Sequence, residues 1–142
     1  MNFVYSVEGG NFTQAGTASS QFKKVLKQLN VDHSTIKRIV VALYEAEVNI
    51  VAHAWAGTIT IDLNLEKVRI LLTDKGPGIP DINKAMEAGF STASPKVREM
   101  GFGAGMGLQN IKNNVDVLNI RSEVGKGTEL EMEVYLNAKD KA

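Results

Sequence analysis

The chain has 142 residues, 44% hydrophobic and 23% charged, which suits one domain, residues 1–142, with a single apolar core. Its 16 Lys and Arg balance 16 Asp and Glu, so a domain built to grip nucleic acid is not expected, and the lack of cysteine excludes thiol catalysis, disulfides and cysteine metal sites. No apolar run approaches the roughly 18 residues of a membrane span, and "MNFVYSVEGG" has no secretory leader pattern, so the expectation is a cytoplasmic protein without a membrane partner.

The first segment, "FVYSVEG", alternates and predicts a strand with Phe3, Tyr5 and Val7 on one side. Residues 13–29 fit a helix whose apolar stripe is Phe22, Val25, Leu26 and Leu29. After the break "NVDHS", Ser34 is the expected N-cap of a second helix reaching about Ala54. "GTITIDLN" and "EKVRILLT" predict two strands around a tight turn at residues 64–67. The stretch from Asp74 to Gly107 is rich in Gly, Pro, Ser and Thr, and loops of that length inside a domain are usually functional or disordered. A helix over about 108–117 and strands near 118–122 and 128–136 complete the chain. In the last strand Leu130, Met132, Val134 and Leu136 face one way and Glu129, Glu131, Glu133 and Tyr135 the other. One buried and one wet sheet face, with helices on the buried side, make a two-layer α/β sandwich.

Within that frame, "MGFGAGMGL" sets glycines at 101, 103, 105 and 107 just before a helix. It is neither a P-loop nor a dinucleotide fingerprint, but backbone N–H groups at a helix start attract anions, and glycine lets a phosphate approach them. "DKGPG" places Asp74 at a strand end, followed by Gly76 and Gly78; it is either a turn or a carboxylate aimed at a donor such as an adenine amine. Glu45 and Asn49, four apart in "EAEVN", share one face of a helix, with Cβ atoms about 5–6 Å apart, opposite Ile36, Val40, Leu43, Ile50 and Ala54. His53 continues their stripe, either as a neighbour of the site or as a structural residue at the helix end. Glu47 falls on the apolar side, where a charge is unexpected and the sequence supplies no reason for it. "GKGT", residues 125–128, alone reads as a turn.

In this order, ExxxN on a helix, DxGxG after a strand, GxGxGxGL opening a helix and GxGT before a strand resemble the Bergerat-type ATP-binding fold of gyrase-type topoisomerases, Hsp90 chaperones, histidine kinases and MutL proteins. At this length, with "EAEVNIVAHA" and "GFST" (residues 89–92), the chain is similar to the bacterial anti-sigma-factor serine/threonine kinases and related switch kinases. That resemblance implies a mainly antiparallel mixed sheet with helices on one face, and ATP with Mg²⁺ as ligands. Asn49 would hold Mg²⁺ through its amide oxygen, and Glu45 would be the general base. Asp74 would accept from the adenine amine with Thr128 in support, and Gly76 and Gly78 would let the backbone pass the nucleotide. Gly101, Gly103, Gly105 and Gly107, closed by Leu108, would wrap the phosphates and hinge a lid over about 81–100. Lys96 and Arg98 in that stretch would then neutralise phosphate charge, or simply be solvated. The implied partners are an antagonist protein as substrate, a sigma factor or similar client, and a second copy in a homodimer. A nucleotide-gated binding module without phosphotransfer and a histidine-kinase-like ATPase domain are the competing functions; no helix carrying a phosphoacceptor histidine is visible. Trp55 stands where many relatives have a small residue.

Overall fold

Five alternating segments become the five strands of one sheet. The computed structural model describes residues 1–79 and 107–136. In chain order these form β1 (Asn2–Glu8), a 3-10 turn (Phe12–Gln14), α1 (Thr17–Gln28), α2 (His33–His53), β2 (Ala56–Leu63), β3 (Lys67–Lys75), α3 (Gly107–Asn114), β4 (Val117–Glu123) and β5 (Gly127–Tyr135). The spatial order is β1-β2-β3-β5-β4, and among the described residues every pairing is antiparallel.

Register turns alternation into rows. One row on the inner face reads Phe3, Ile61, Ile70, Met132 and Leu118; the next reads Tyr5, Ile59, Leu72, Leu130 and Ile120. Helices cover this face, and α2 packs against both α1 and α3. Phe22 and Leu26 of α1 are completely buried, and the Phe22 ring meets Phe3 edge-on at 5.4 Å between centroids. Each such side chain contributes about 1.5–3 kcal/mol by leaving water. The outer face carries cross-strand ion pairs, Lys67–Glu133 at 2.8 Å, Arg69–Glu131 and Arg121–Glu129. Exposed pairs add little stability; their complementarity across strands favours the observed register.

Element ends depart from the sequence expectation for local reasons. The first helix begins at Thr17 rather than at 13, because residues 12–14 take a 3-10 turn and Gly16 turns the chain at φ +92°. Leu29 closes that helix and is exposed instead of joining its apolar stripe. Asp32, not Ser34, caps α2: its carboxylate accepts the Thr35 N–H at 3.4 Å, and the Ser34 hydroxyl also donates to it. The third helix stops at Asn114, short of 117, and Val117 already pairs with Glu133 in the sheet.

Glu47 is the largest gap in the sequence reading. It is 2% exposed, yet its charge is fully engaged. Oε2 accepts the Ala18 N–H at 3.0 Å, while Oε1 accepts the Ser19 N–H at 3.1 Å and the Ser19 hydroxyl at 2.7 Å. The first turn of a helix has N–H groups without intrahelical partners and a partial positive charge. Gly16 has no side chain to cap α1, so a carboxylate from the neighbouring helix does it.

Candidate functional site

The inner face of the sheet changes character at one end. After the two apolar rows, the third row reads Val7, Gly57, Asp74, then Thr128 and Ser122 across β5 and β4. Asp74 keeps the inward parity of Ile70 and Leu72, so the same alternation that builds the core aims its carboxylate to the helix side. The Thr128 N–H donates to Asp74 Oδ1 at 3.0 Å, and among the described residues no hydrogen bond falls on Oδ2. Burial raises the Asp74 carboxyl above its usual value, and the Thr128 N–H opposes that shift.

Two glycines let the backbone close around this carboxylate. Gly127 has φ +148°, and a Cβ there would lie 2.1 Å from the Asp74 carbonyl oxygen. Gly78 has φ +77° and would collide with the Glu123 carbonyl oxygen at 2.5 Å. Gly76 lies against the end of α2, where a Cβ would be 2.9 Å from Ala54 Cα. The close approaches at Gly76 and Gly78 are thus to Ala54 and to Glu123 and Val124. An open depression of about 330 Å³ at this sheet end is lined by Asp74, Ser122, Gly127 and Thr128 together with outer-face residues such as Glu129.

The helix layer supplies the other half. Glu45 and Asn49, both partly buried, project from α2 toward the start of α3. A Cβ on Gly107 would lie 3.1 Å from Asn49 Oδ1 and 3.4 Å from Glu45 Oε2. The last glycine of the spaced run therefore meets the Glu-Asn pair. Asn110, one turn into α3, donates through Nδ2 to Glu45 Oε1 at 3.3 Å. Leu108 packs against the core. α2 ends at the sheet beside Gly76, and Trp55 N–H donates to the Lys75 carbonyl at 2.8 Å. Asn49 lies roughly 7 Å along the helix axis from Ala54 at about 1.5 Å per residue.

The structure thus assembles Glu45, Asn49, Gly107 and Asn110 in one group and Asp74, Thr128, Gly76 and Gly78 in another, joined by α2. Gly101, Gly103, Gly105, the expected lid over 81–100, "GFST", Lys96 and Arg98 lie outside the described residues. His53 is partly buried at the end of α2, and burial holds its imidazole below the usual value. Trp55 is 64% exposed. The sequence reading missed Asn110, Ser122 and the close approach at Gly127. Only Gly127 had a signal, as the second glycine of GxGT; Asn110 and Ser122 emerge from helix docking and strand register.

Among the described residues, no three His, Asp or Glu side chains gather as a metal cage. Among the described residues no hydrogen bond falls on Asn49 Oδ1, and a lone amide oxygen beside Gly107 suits Mg²⁺, which keeps waters and takes further ligands from nucleotide phosphates.

The histidine kinase-like ATPase domain family matches residues 11–134. Over 113 residues the chain is 36% identical to the serine/threonine-protein kinase RsbT of Bacillus subtilis strain 168, covering 77% of this chain and 79% of that protein. It is 31% identical over 143 residues to the anti-sigma F factor of Thermoanaerobacter sp. strain X514, covering 97% and 93%. A crystal structure of the RsbU and RsbW domains of a Mycobacterium tuberculosis protein matches with a TM-score of 0.64 and 19% identity, over 96% of this chain and 32% of that one. That last likeness is one of fold.

Proposed function

The chain belongs to the histidine kinase-like ATPase domain family, and on that premise we propose that it is an ATP-binding anti-sigma regulator that phosphorylates a serine or threonine of an antagonist protein and binds a sigma factor. The relatives named as a serine/threonine kinase and an anti-sigma factor support this reading. The observation that carries it is the meeting of Glu45, Asn49 and Gly107 at the start of α3.

Asp74 Oδ2 accepts the adenine amine, and the Asp74–Thr128 contact holds the carboxylate still. Phosphates lie at the start of α3, because a helix start attracts anions and no acidic residue occupies its first turn. Asn49 Oδ1 would hold Mg²⁺, which when bound neutralises phosphate charge. The Asn110 amide fixes Glu45 through Oε1 and leaves Oε2 beside Gly107. The substrate hydroxyl gives its proton to Glu45 as its oxygen bonds to the γ-phosphorus. The bond from phosphorus to the bridging oxygen breaks, and ADP leaves.

Among the described residues β1 is an edge strand of the sheet and carries the exposed Val4; such an edge supports self-association as a homodimer. No described helix is long and apolar enough to cross a membrane; the proposed clients place the protein in the cytoplasm.

Glu45→Gln tests the chemistry. The amide keeps the shape and takes no proton, so ADP affinity stays within a few-fold while phosphotransfer falls by roughly 10²–10⁴. Undiminished turnover removes Glu45 as the base.

A further inference from the structure

Behind Asp74 and Thr128 stands a hydroxyl whose bonds can be counted. Ser122 Oγ accepts the Ile79 N–H at 2.7 Å, donates to the Gly127 carbonyl at 3.0 Å, and lies 2.9 Å from Thr128 Oγ1. A serine hydroxyl has one proton and two lone pairs. The Gly127 carbonyl has no proton to give, so the Ser122 proton goes there. The Ile79 N–H takes one lone pair. The contact to Thr128 is then made by the Thr128 proton, pointing back at Ser122. Giving the Ser122 proton to Thr128 instead would lose the bond to the Gly127 carbonyl and gain only a contact that the Thr128 proton makes equally well.

A consequence follows for the side of Thr128 that faces away from Ser122. With its proton committed, Thr128 Oγ1 offers lone pairs only. Asp74 Oδ1 already holds the Thr128 N–H, and Oδ2 is an acceptor. We infer that Ser122 is a specificity-determining positioning residue: by fixing the Thr128 hydroxyl as an acceptor beside Asp74, it makes this wall read an exocyclic amine and repel a carbonyl at the same position of a purine. The inference rests on the nucleotide-binding reading above. Ser122 also ties Ile79, just beyond the DKGPG turn, to β4 and β5, so one hydroxyl sets the polarity of the wall and anchors the exit of the loop.

The probes are ADP and IDP, which differ at the 6-position and N1 of the base, measured by calorimetry with Mg²⁺ and no turnover. Wild-type protein should prefer ADP. Ser122→Ala frees the Thr128 proton to turn toward a 6-oxo group, so the ADP:IDP preference should fall by about 3- to 10-fold, mostly through tighter IDP binding. Ser122→Thr keeps a hydroxyl and should restore the preference. In a Thr128→Val background, Ser122→Ala should change nothing further. Equal weakening of both nucleotides, or an unchanged ratio, overturns the inference, because a merely structural serine acts on both alike. Should Ser122→Ala fail to fold, Thr128→Val alone decides: it keeps the N–H to Asp74, and an unchanged ratio overturns the inference. Wild-type protein that binds neither nucleotide overturns the nucleotide reading itself.

Discussion

Replacing Glu47 with alanine should be among the most damaging single changes in the helix layer. The carboxylate accepts from Ala18 N, Ser19 N and Ser19 Oγ, and the substitution removes all three bonds at once. The Ser19 hydroxyl has an alternative acceptor in the Gly16 carbonyl at 3.2 Å. The two backbone N–H groups have none in the first turn of α1, and each buried orphan costs about 1–3 kcal/mol. Relief from burying a charge returns part of that sum, leaving a net loss of about 3–4 kcal/mol. An ordinary N-cap deletion costs about 1 kcal/mol, and a domain of this kind has about 5–15 kcal/mol in total. Urea unfolding of the ligand-free protein, followed by circular dichroism, should show this loss, with a melting temperature lower by roughly 10 °C. Glu47→Gln keeps one acceptor oxygen for Ser19 but turns an NH₂ toward Ala18 N–H, and should lose about half as much. A loss under about 1 kcal/mol in Glu47→Ala would refute the view that this carboxylate is the cap of α1.

Asn49→Ala should weaken Mg-nucleotide binding at least ~10-fold in calorimetry while leaving metal-free nucleotide binding nearly unchanged; equal effects with and without Mg²⁺ would take Asn49 away from the metal. Asp74→Asn should weaken ADP by about 10- to 100-fold, because one amide oxygen must serve Thr128 N–H and the NH₂ then faces the adenine amine. The same variant makes a pH prediction. Burial raises the folded-state value of Asp74, so its contribution favours folding below the unfolded value and is withdrawn as pH rises through the folded one. The ligand-free asparagine variant should therefore melt at the wild-type temperature or higher at pH 7, with any advantage fading toward acid; a clearly lower melting temperature at pH 7 would contradict a carboxylate held at a cost to stability.

The sheet was legible because its signal has period two. Ile59, Ile61, Ile70, Leu72, Leu130 and Met132 had to share a face whatever the strand order, and carrying that parity on by two residues puts Asp74 and Thr128 on it as well. Glu45 and Asn49 were legible for the same kind of reason, since four residues are about one helical turn. What the sequence hid depends on contacts between elements. Glu47 looks misplaced until α1 presents its first turn to it. Asn110 acquires meaning when α3 docks on α2, and Ser122 when β4 pairs with β5. The cap of α2 is ambiguous in sequence because "DHS" holds two residues able to cap, and only the geometry at Thr35 N separates Asp32 from Ser34.

Transfer of phosphate from ATP to a hydroxyl on another protein is the activity proposed for this site. The direct measurement is incubation of the wild-type protein and Glu45→Gln with γ-labelled ATP, Mg²⁺ and the cognate antagonist, followed by acid and alkali treatment of the labelled product. The antagonist should carry label that survives acid and is lost in alkali, as for phosphoserine, and that label should be strongly reduced with Glu45→Gln. Acid-labile label on histidine, or tight ATP binding with no transfer to the antagonist, would contradict that activity.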